Sequence, residues 1–139
     1  MWKFSQYVRD DQSVPIEDWY STLAPEERAE FDIAIDVFER TDDWDSYKRI
    51  HEKYLELERE LKGLTELKFD MTTRQGGKNY TKRFRPVGFM NKGEKTFILL
   101  GGFQKGRRNK PIPENAFERI LKDKKAFENG RGSIRDHKT

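Results

Sequence analysis

The chain has 139 residues, 38% of them charged, and a formal net charge of +3 at neutral pH. It contains no cysteine, which excludes a disulfide scaffold and thiolate metal sites. No apolar run approaches the roughly 20 residues of a membrane helix, and the first residues lack the apolar stretch of a signal peptide, so one soluble cytoplasmic domain is expected.

The first half predicts a strand followed by helices. Residues 2–8 alternate apolar and polar side chains, which predicts a strand. Pro15 and Pro25 each suit the first turn of a helix, and apolar residues follow them at helical spacing. From Thr41 to Leu61 the apolar residues again step by three and four, which predicts another helix. We therefore expect this half to be mostly helical.

The second half predicts three strands and a last helix, because the apolar period changes to two after a glycine. Pro86 cannot donate to a ladder, so its strand is expected at a sheet edge or at a bulge. From Arg131 the chain is expected to fray. The predicted strands are residues 65–71, 81–90 and 97–100, the loops are 72–80, 91–94 and 104–112, and the helix runs from Pro113 to Gly130.

These elements predict an α+β fold of order β-α-α-β-β-β-α, with an antiparallel sheet packed against helices. The first strand is expected to pair beside the three later ones. The predicted domain covers residues 1–130, followed by a flexible basic tail over residues 131–139.

The charge is unevenly distributed between the two halves. Residues 1–63 carry 9 Lys/Arg against 17 Asp/Glu, a net of −8, whereas residues 64–139 carry 19 against 8, a net of +11. Clustered cations with interleaved aromatic residues are typical of surfaces that contact a phosphate backbone. The alternative is that these cations only keep exposed faces and strand edges soluble. The candidate surface comprises Lys68, Arg74, Lys78, Lys82, Arg83, Arg85, Lys105, Arg107, Arg108 and Lys110.

RNA cleavage without a metal fits this set of residues. The only histidines are His51 and His137, and no His/Asp/Glu cluster has the spacing of metal ligands. In metal-independent cleavage the 2′-OH attacks the adjacent phosphate. The reaction needs a proton acceptor, a proton donor and cations opposite the charge that develops on phosphorus. Lysine and arginine supply the cations directly.

Four segments of the second half resemble the RelE/ParE toxin superfamily, and its HigB-like, phage-derived branch in particular. They are residues 64–69, Arg83-Phe84-Arg85, the run Phe97 to Lys105 with its Gly101-Gly102-Phe103, and Pro113 to Leu121. The resemblance implies a RelE-like α+β fold. It also implies a toxin of a type II toxin–antitoxin pair, usually a ribosome-dependent endoribonuclease that cleaves mRNA and is neutralised by a helix-turn-helix antitoxin. No cofactor is implied.

The resemblance also assigns roles by position. Lys68, Arg85 and Lys105 match the catalytic positions: Arg85 and Lys105 would stabilise the phosphate in the transition state, and Lys68 would position or exchange a proton. Arg107 and Arg108 lie where further cations contact RNA, and the remaining cations would bind it too. No tyrosine follows Tyr80, so the tyrosine that serves some members as proton acceptor has no counterpart.

Two alternatives stay open at this point. The same fold is compatible with a non-catalytic module that binds RNA or an antitoxin. It is also compatible with a ParE-like inhibitor of DNA gyrase. The proton acceptor, the sequence preference and the oligomeric state are not predicted.

Overall fold

The computed structural model describes residues 2–40, 50–52, 63–91, 93–105 and 114–137. Over these residues the fold is α+β, with helices on both faces of one sheet. The elements are β1 (Lys3–Val8), α1 (Pro15–Tyr20), α2 (Pro25–Arg40), β2 (Ile50–Glu52), β3 (Thr65–Leu67), β4 (Phe69–Gln75), β5 (Lys78–Asn91), β6 (Thr96–Lys105), α3 (Glu114–Glu128) and β7 (Ser133–Asp136).

The sheet is mixed. Its described strands follow the order β2-β3-β5-β6-β1-β7, and β4 lies on the same side of β5 as β3. β1 runs parallel to β6, whereas the other pairings are antiparallel. The prediction that the first strand pairs beside the meander is therefore confirmed.

Alternation along β6 divides the core into two layers. Phe97 and Leu99 pack into the layer under α1 and α2, together with Phe31 of α2. Ile98 and Leu100 point to the opposite layer, which α3 covers with Ile120, Leu121 and Phe127. We call these two sides of the sheet the α2 face and the α3 face. The predicted helices after Pro15 and Pro25 and the buried strand 97–100 are confirmed; the predicted last helix is described from Glu114.

β3 and β4 act as one interrupted strand along β5. Glu66 pairs with Val87 and Phe69 with Phe84, so two residues separate these pairs on each side and the register is continuous. Lys68 occupies the interruption. The expectation that this strand lies at an edge is wrong, because β5 has neighbours on both sides. The bulge alternative agrees with the structure: the β5–β6 register shifts at Val87/Gly88, close to Pro86.

The predicted loop over residues 72–80 is wrong. β4 continues to Gln75, β5 begins at Lys78, and the two form a hairpin closed by Gly76 and Gly77. Both glycines have positive φ, +57° and +80°, as the two-residue turns that match the twist of a hairpin require. The glycine pair therefore marks a tight turn inside a longer hairpin.

The predicted helix from Thr41 to Leu61 is wrong over three residues. Ile50–Glu52 forms β2, which pairs in antiparallel fashion with β3. These three residues form a strand because their backbone groups hydrogen-bond to β3, a tertiary contact that the local apolar period does not indicate. Residues 41–49 and 53–62 lie outside the described part of the chain.

The prediction that the chain frays from Arg131 is also wrong. Residues Ser133–Asp136 form β7, which pairs with β1. The backbone N–H of His137 continues this contact by donating to the carbonyl of Phe4 at 3.0 Å. At the preceding turn, the backbone N–H of Gly132 donates to Asp10 Oδ1 at 2.8 Å. Residues 133–137 are thus held at the edge of the sheet opposite β2.

Candidate nucleic-acid interface

A cluster of charged residues lies on the α3 face of β3, β4 and β5. Phe69 and Met71 belong to the core under α2, so Asp70 between them points to the α3 face. The charged cluster consists of Glu66, Lys68, Asp70, Arg83 and Arg85. Asp70 lies opposite Arg83 in the ladder, and the continued register places Lys68 opposite Arg85.

β6 brings the third predicted catalytic position next to this cluster. The backbone of Lys105 lies opposite Arg83, and Phe103 lies opposite Arg85. β5 pairs with β3 and β4 on one side and with β6 on the other. Lys68, Arg85 and Lys105 therefore lie on three adjacent strand segments. Neighbouring strands lie about 4.8 Å apart, so these positions fall within the span of a short stretch of RNA backbone.

Arg85 is almost completely buried, with 2% of its surface exposed. Its Nη1 donates to Asp70 Oδ1 at 2.9 Å and to the carbonyl of Phe84 at 2.8 Å. Its Nε lies 3.6 Å from Oε1 of Glu66, which is itself buried. A buried guanidinium needs such carboxylates, since an unpaired charge in the interior costs several kcal/mol. In this arrangement Arg85 is held by protein carboxylates.

The described cations of this face differ in their exposure to solvent. Arg74 is exposed, while Arg83 and Lys68 are partly exposed. Arg107, Arg108 and Lys110, which follow β6, lie outside the described residues, as does the side chain of Lys105.

The predicted RNA-binding set is divided between the two faces of the sheet. Lys82 alternates with Arg83 and points to the α2 face, where its Nζ lies 2.9 Å from Glu27 Oε2. Burial opposes ionisation of Glu27, but the backbone N–H of Ala24 and the Lys82 ammonium lower the pKa of the Glu27 carboxyl below its ordinary value. Lys78 is exposed near the hairpin turn and shares the alternation of Lys82.

Sequence reasoning missed the two carboxylates of the charged cluster. In the sequence, Glu66 and Asp70 are polar positions that alternate with the apolar residues of the predicted strand over residues 65–71. Their contact with Arg85 depends on the register between two strands, which the hairpin sets. The one signal in the sequence was that Glu66, Lys68 and Asp70 share a strand face, as Arg83 and Arg85 do.

The two histidines lie away from the charged cluster. His51 belongs to β2, and its side chain is outside the described residues. His137 packs edge-on against Phe31 on the α2 face and hydrogen-bonds Gln6. Burial lowers the pKa of His137 below its ordinary value, although Asp32 and Glu17 oppose the shift. Across the described residues, no group of three or more His, Asp or Glu side chains is placed to hold a metal ion.

A separate cleft of about 330 Å³ lies between α1, β6 and α3. Its wall contains Arg9, whose Nε and Nη2 each donate to one oxygen of Asp123, both at 3.0 Å. Hydrogen bonding to Asp123 raises the pKa of the Arg9 guanidinium, an effect that burial opposes. Among the predicted site residues whose side chains the structure describes, none lines this cleft.

Comparison with known proteins identifies no relative. No protein-family model matches the chain, no curated protein matches it, and no solved structure matches it. Within the described residues, the helices are too short or too polar to cross a lipid bilayer.

Proposed function

We propose that this protein is a toxin of the RelE/ParE type, an endoribonuclease that cleaves ribosome-bound mRNA without a metal. The observation that supports the proposal is the convergence of Lys68, Arg85 and Lys105 on adjacent strand segments around Arg83. Arg83 and Lys105, which are placed on rigid strands, are suited to stabilise the charge that develops on a phosphate, whereas the buried Arg85 is held by Glu66 and Asp70. The order and spacing of the four resembling segments add to this support.

Induced expression in bacteria tests the proposal. We expect growth to stop, with cuts in translated transcripts detected by primer extension. Arg83→Glu and Lys105→Glu should each lower cleavage by roughly 100-fold or more, because each replaces a cation near the scissile phosphate by an anion. Lys125→Glu on the exposed surface of α3 makes the same charge change outside the cluster and should leave cleavage unchanged. Arg85→Glu is unsuitable, because it would bury a third carboxylate beside Glu66 and Asp70.

One observation favours a second candidate, a non-catalytic module that binds RNA or an antitoxin. Glu66 and Asp70 neutralise Arg85, and Glu27 pairs with Lys82, so part of the predicted cationic charge is already balanced within the protein. This candidate predicts RNA or antitoxin binding with intact transcripts. Plasmid supercoiling measured in the same cells tests the gyrase-inhibitor alternative: relaxed plasmid with uncut mRNA would favour it over both.

A further inference from the structure

Cleavage by the 2′-OH requires a proton acceptor that the predicted cations do not supply. Lysine and arginine side chains are ordinarily protonated at neutral pH and are therefore poor acceptors. The described part of the charged cluster contains two carboxylates, Glu66 and Asp70. They differ in access: Glu66 is 1% exposed, whereas 47% of the Asp70 side chain is exposed. A substrate hydroxyl can reach only Asp70 without rearrangement of the sheet.

Asp70 is also held in a defined orientation. Its Oδ1 accepts a hydrogen bond from Nη1 of Arg85, which is itself fixed by burial and by its second bond to the carbonyl of Phe84. Arg83 lies opposite Asp70 in the ladder, and Lys105 lies opposite Arg83 on the next strand. A carboxylate anchored through one oxygen beside cationic residues is arranged to receive a proton while those cations bind the phosphate.

We propose that Asp70 is the proton acceptor in RNA cleavage and that Arg85 is the positioning residue that orients it. This inference rests on the proposed function. The Asp70 carboxylate takes the proton of the 2′-OH, and O2′ forms a bond to the adjacent phosphorus as the bond from phosphorus to O5′ breaks. O5′ leaves with a proton from the Lys68 ammonium. The products are a 2′,3′-cyclic phosphate and a 5′-OH, and Asp70 and Lys68 exchange their protons with water.

The test is Asp70→Asn in a reconstituted translation system, with cleavage rate and pH dependence measured on ribosome-bound mRNA. Asparagine keeps an oxygen for Arg85 but is a far weaker base, so the rate should fall by roughly 100- to 10,000-fold. Binding of an mRNA with a 2′-deoxy nucleotide at the cut site should stay within about threefold of wild type, because the cations are unchanged. The wild-type rate should fall on acidification as carboxylates protonate, and Asp70→Asn should lose this dependence.

Two further variants separate this role from a structural one. Asp70→Glu keeps a carboxylate at this position. It should cleave faster than Asp70→Asn, and its rate should fall on acidification as the wild-type rate does. Asp136→Asn removes an exposed carboxylate on β7, whose partner is Lys3, and should cleave like wild type. For Arg85→Lys we expect a lower kcat at nearly unchanged KM, because the charge remains but the orientation of Asp70 is lost.

The possible results are distinguishable. If wild type cleaves and Asp70→Asn cleaves within threefold of it, or keeps the acid dependence, the role of Asp70 is overturned while the proposed function stands. If Asp70→Asn does not fold, Asp70→Glu is measured instead. Cleavage by Asp70→Glu that does not decrease on acidification would overturn the role of Asp70 as proton acceptor. A wild-type protein that cuts no mRNA overturns the proposed function and, with it, the role of Asp70.

Discussion

Among the arginine–aspartate pairs of the described residues, Arg9–Asp123 and Arg85–Asp70 differ in how completely they are closed. Arg9 donates two hydrogen bonds of equal length to Asp123, whose side chain is only 9% exposed. Arg85 is buried, but its partner Asp70 is half exposed and is held through one oxygen. The first pair joins the end of β1 to α3. The second leaves a carboxylate open to solvent on the α3 face, which is the arrangement that a reactive group requires.

The largest effect on stability should come from opening the closed pair. Asp123→Asn leaves the Arg9 guanidinium without its carboxylate in a mostly buried site. Removing one partner of a fully buried pair costs about 3–5 kcal/mol, and because Arg9 is about one-third exposed we expect roughly 1–3 kcal/mol here. Urea unfolding measures the change. Asp70→Asn should lower the free energy of unfolding by about 1 kcal/mol or less, since Asp70 is exposed and Glu66 remains beside Arg85. If both variants lost the same free energy of unfolding, the distinction between a closed Arg9–Asp123 pair and an open Arg85–Asp70 pair would be contradicted.

Packing beside the closed pair gives the next prediction. A Cβ at Gly102 would lie 2.6 Å from Cδ2 of the Trp19 indole, in the same cleft as Arg9. Gly102→Ala should therefore lower the free energy of unfolding by about 1–3 kcal/mol, as overpacked sites do. Gly93→Ala is the matched control, because its nearest neighbour would be a side-chain oxygen of Asn91 at 3.6 Å. A thermal melt compares the two variants, and no difference between them would show that Trp19 has room to move.

The smallest effect concerns His137, which follows β7 at the edge of the sheet opposite β2. Gln6 Nε2 donates to Glu17, so Gln6 Oε1 accepts from His137 Nδ1–H, and the buried Nε2 has no hydrogen-bond partner among the described residues. Because burial lowers the pKa of His137, the unfolded chain binds its proton at higher pH than the folded protein does. As the pH is lowered below about 6.5, the ordinary pKa of histidine, the free energy of unfolding should therefore decrease, by at most about 1.4 kcal/mol per pH unit.

His137→Asn isolates this effect. Asparagine keeps an N–H donor near the position of Nδ1 and does not titrate, while His51 is present in both proteins. Urea unfolding at pH 7 and pH 5 should show a smaller loss on acidification for the variant than for wild type. Parallel losses would assign the pH dependence to other groups.

Local patterns in the sequence predicted the parts of the fold that local physics decides. The helix after Pro25 has a clear helical period and a clear place to begin, and residues 97–100 are apolar without interruption, as in a strand that is buried on both faces. The hairpin over residues 72–80 was missed because polar residues flank its glycine pair, so a tight turn resembled a loop. β7 was missed because its residues are all exposed and short of apolar side chains. Its pairing with β1 and the ion pair of Arg135 with Glu17 both involve parts of the chain that are distant in sequence.

The candidate site was predictable as a set of cations but not as an arrangement. Spacing along each strand placed Arg83 and Arg85 on one face. It did not show that Arg85 would be buried, because burial depends on Phe103 and on the carboxylates of neighbouring strands. Register between strands is a tertiary property, set here by the Gly76-Gly77 turn. The two roles that we propose for the arginines, orienting a carboxylate and contacting phosphate, both depend on this register.

Cleavage of a matched pair of ribosome-bound mRNAs is the most direct test of the claim that the α3 face carries RNA chemistry. One mRNA has ribose at the mapped cut site and the other has 2′-deoxyribose at that nucleotide alone. We expect the purified protein to cut the first, leaving a 2′,3′-cyclic phosphate and a 5′-OH, and to leave the second intact while still binding it. Cleavage of both mRNAs, or of neither, would contradict the claim.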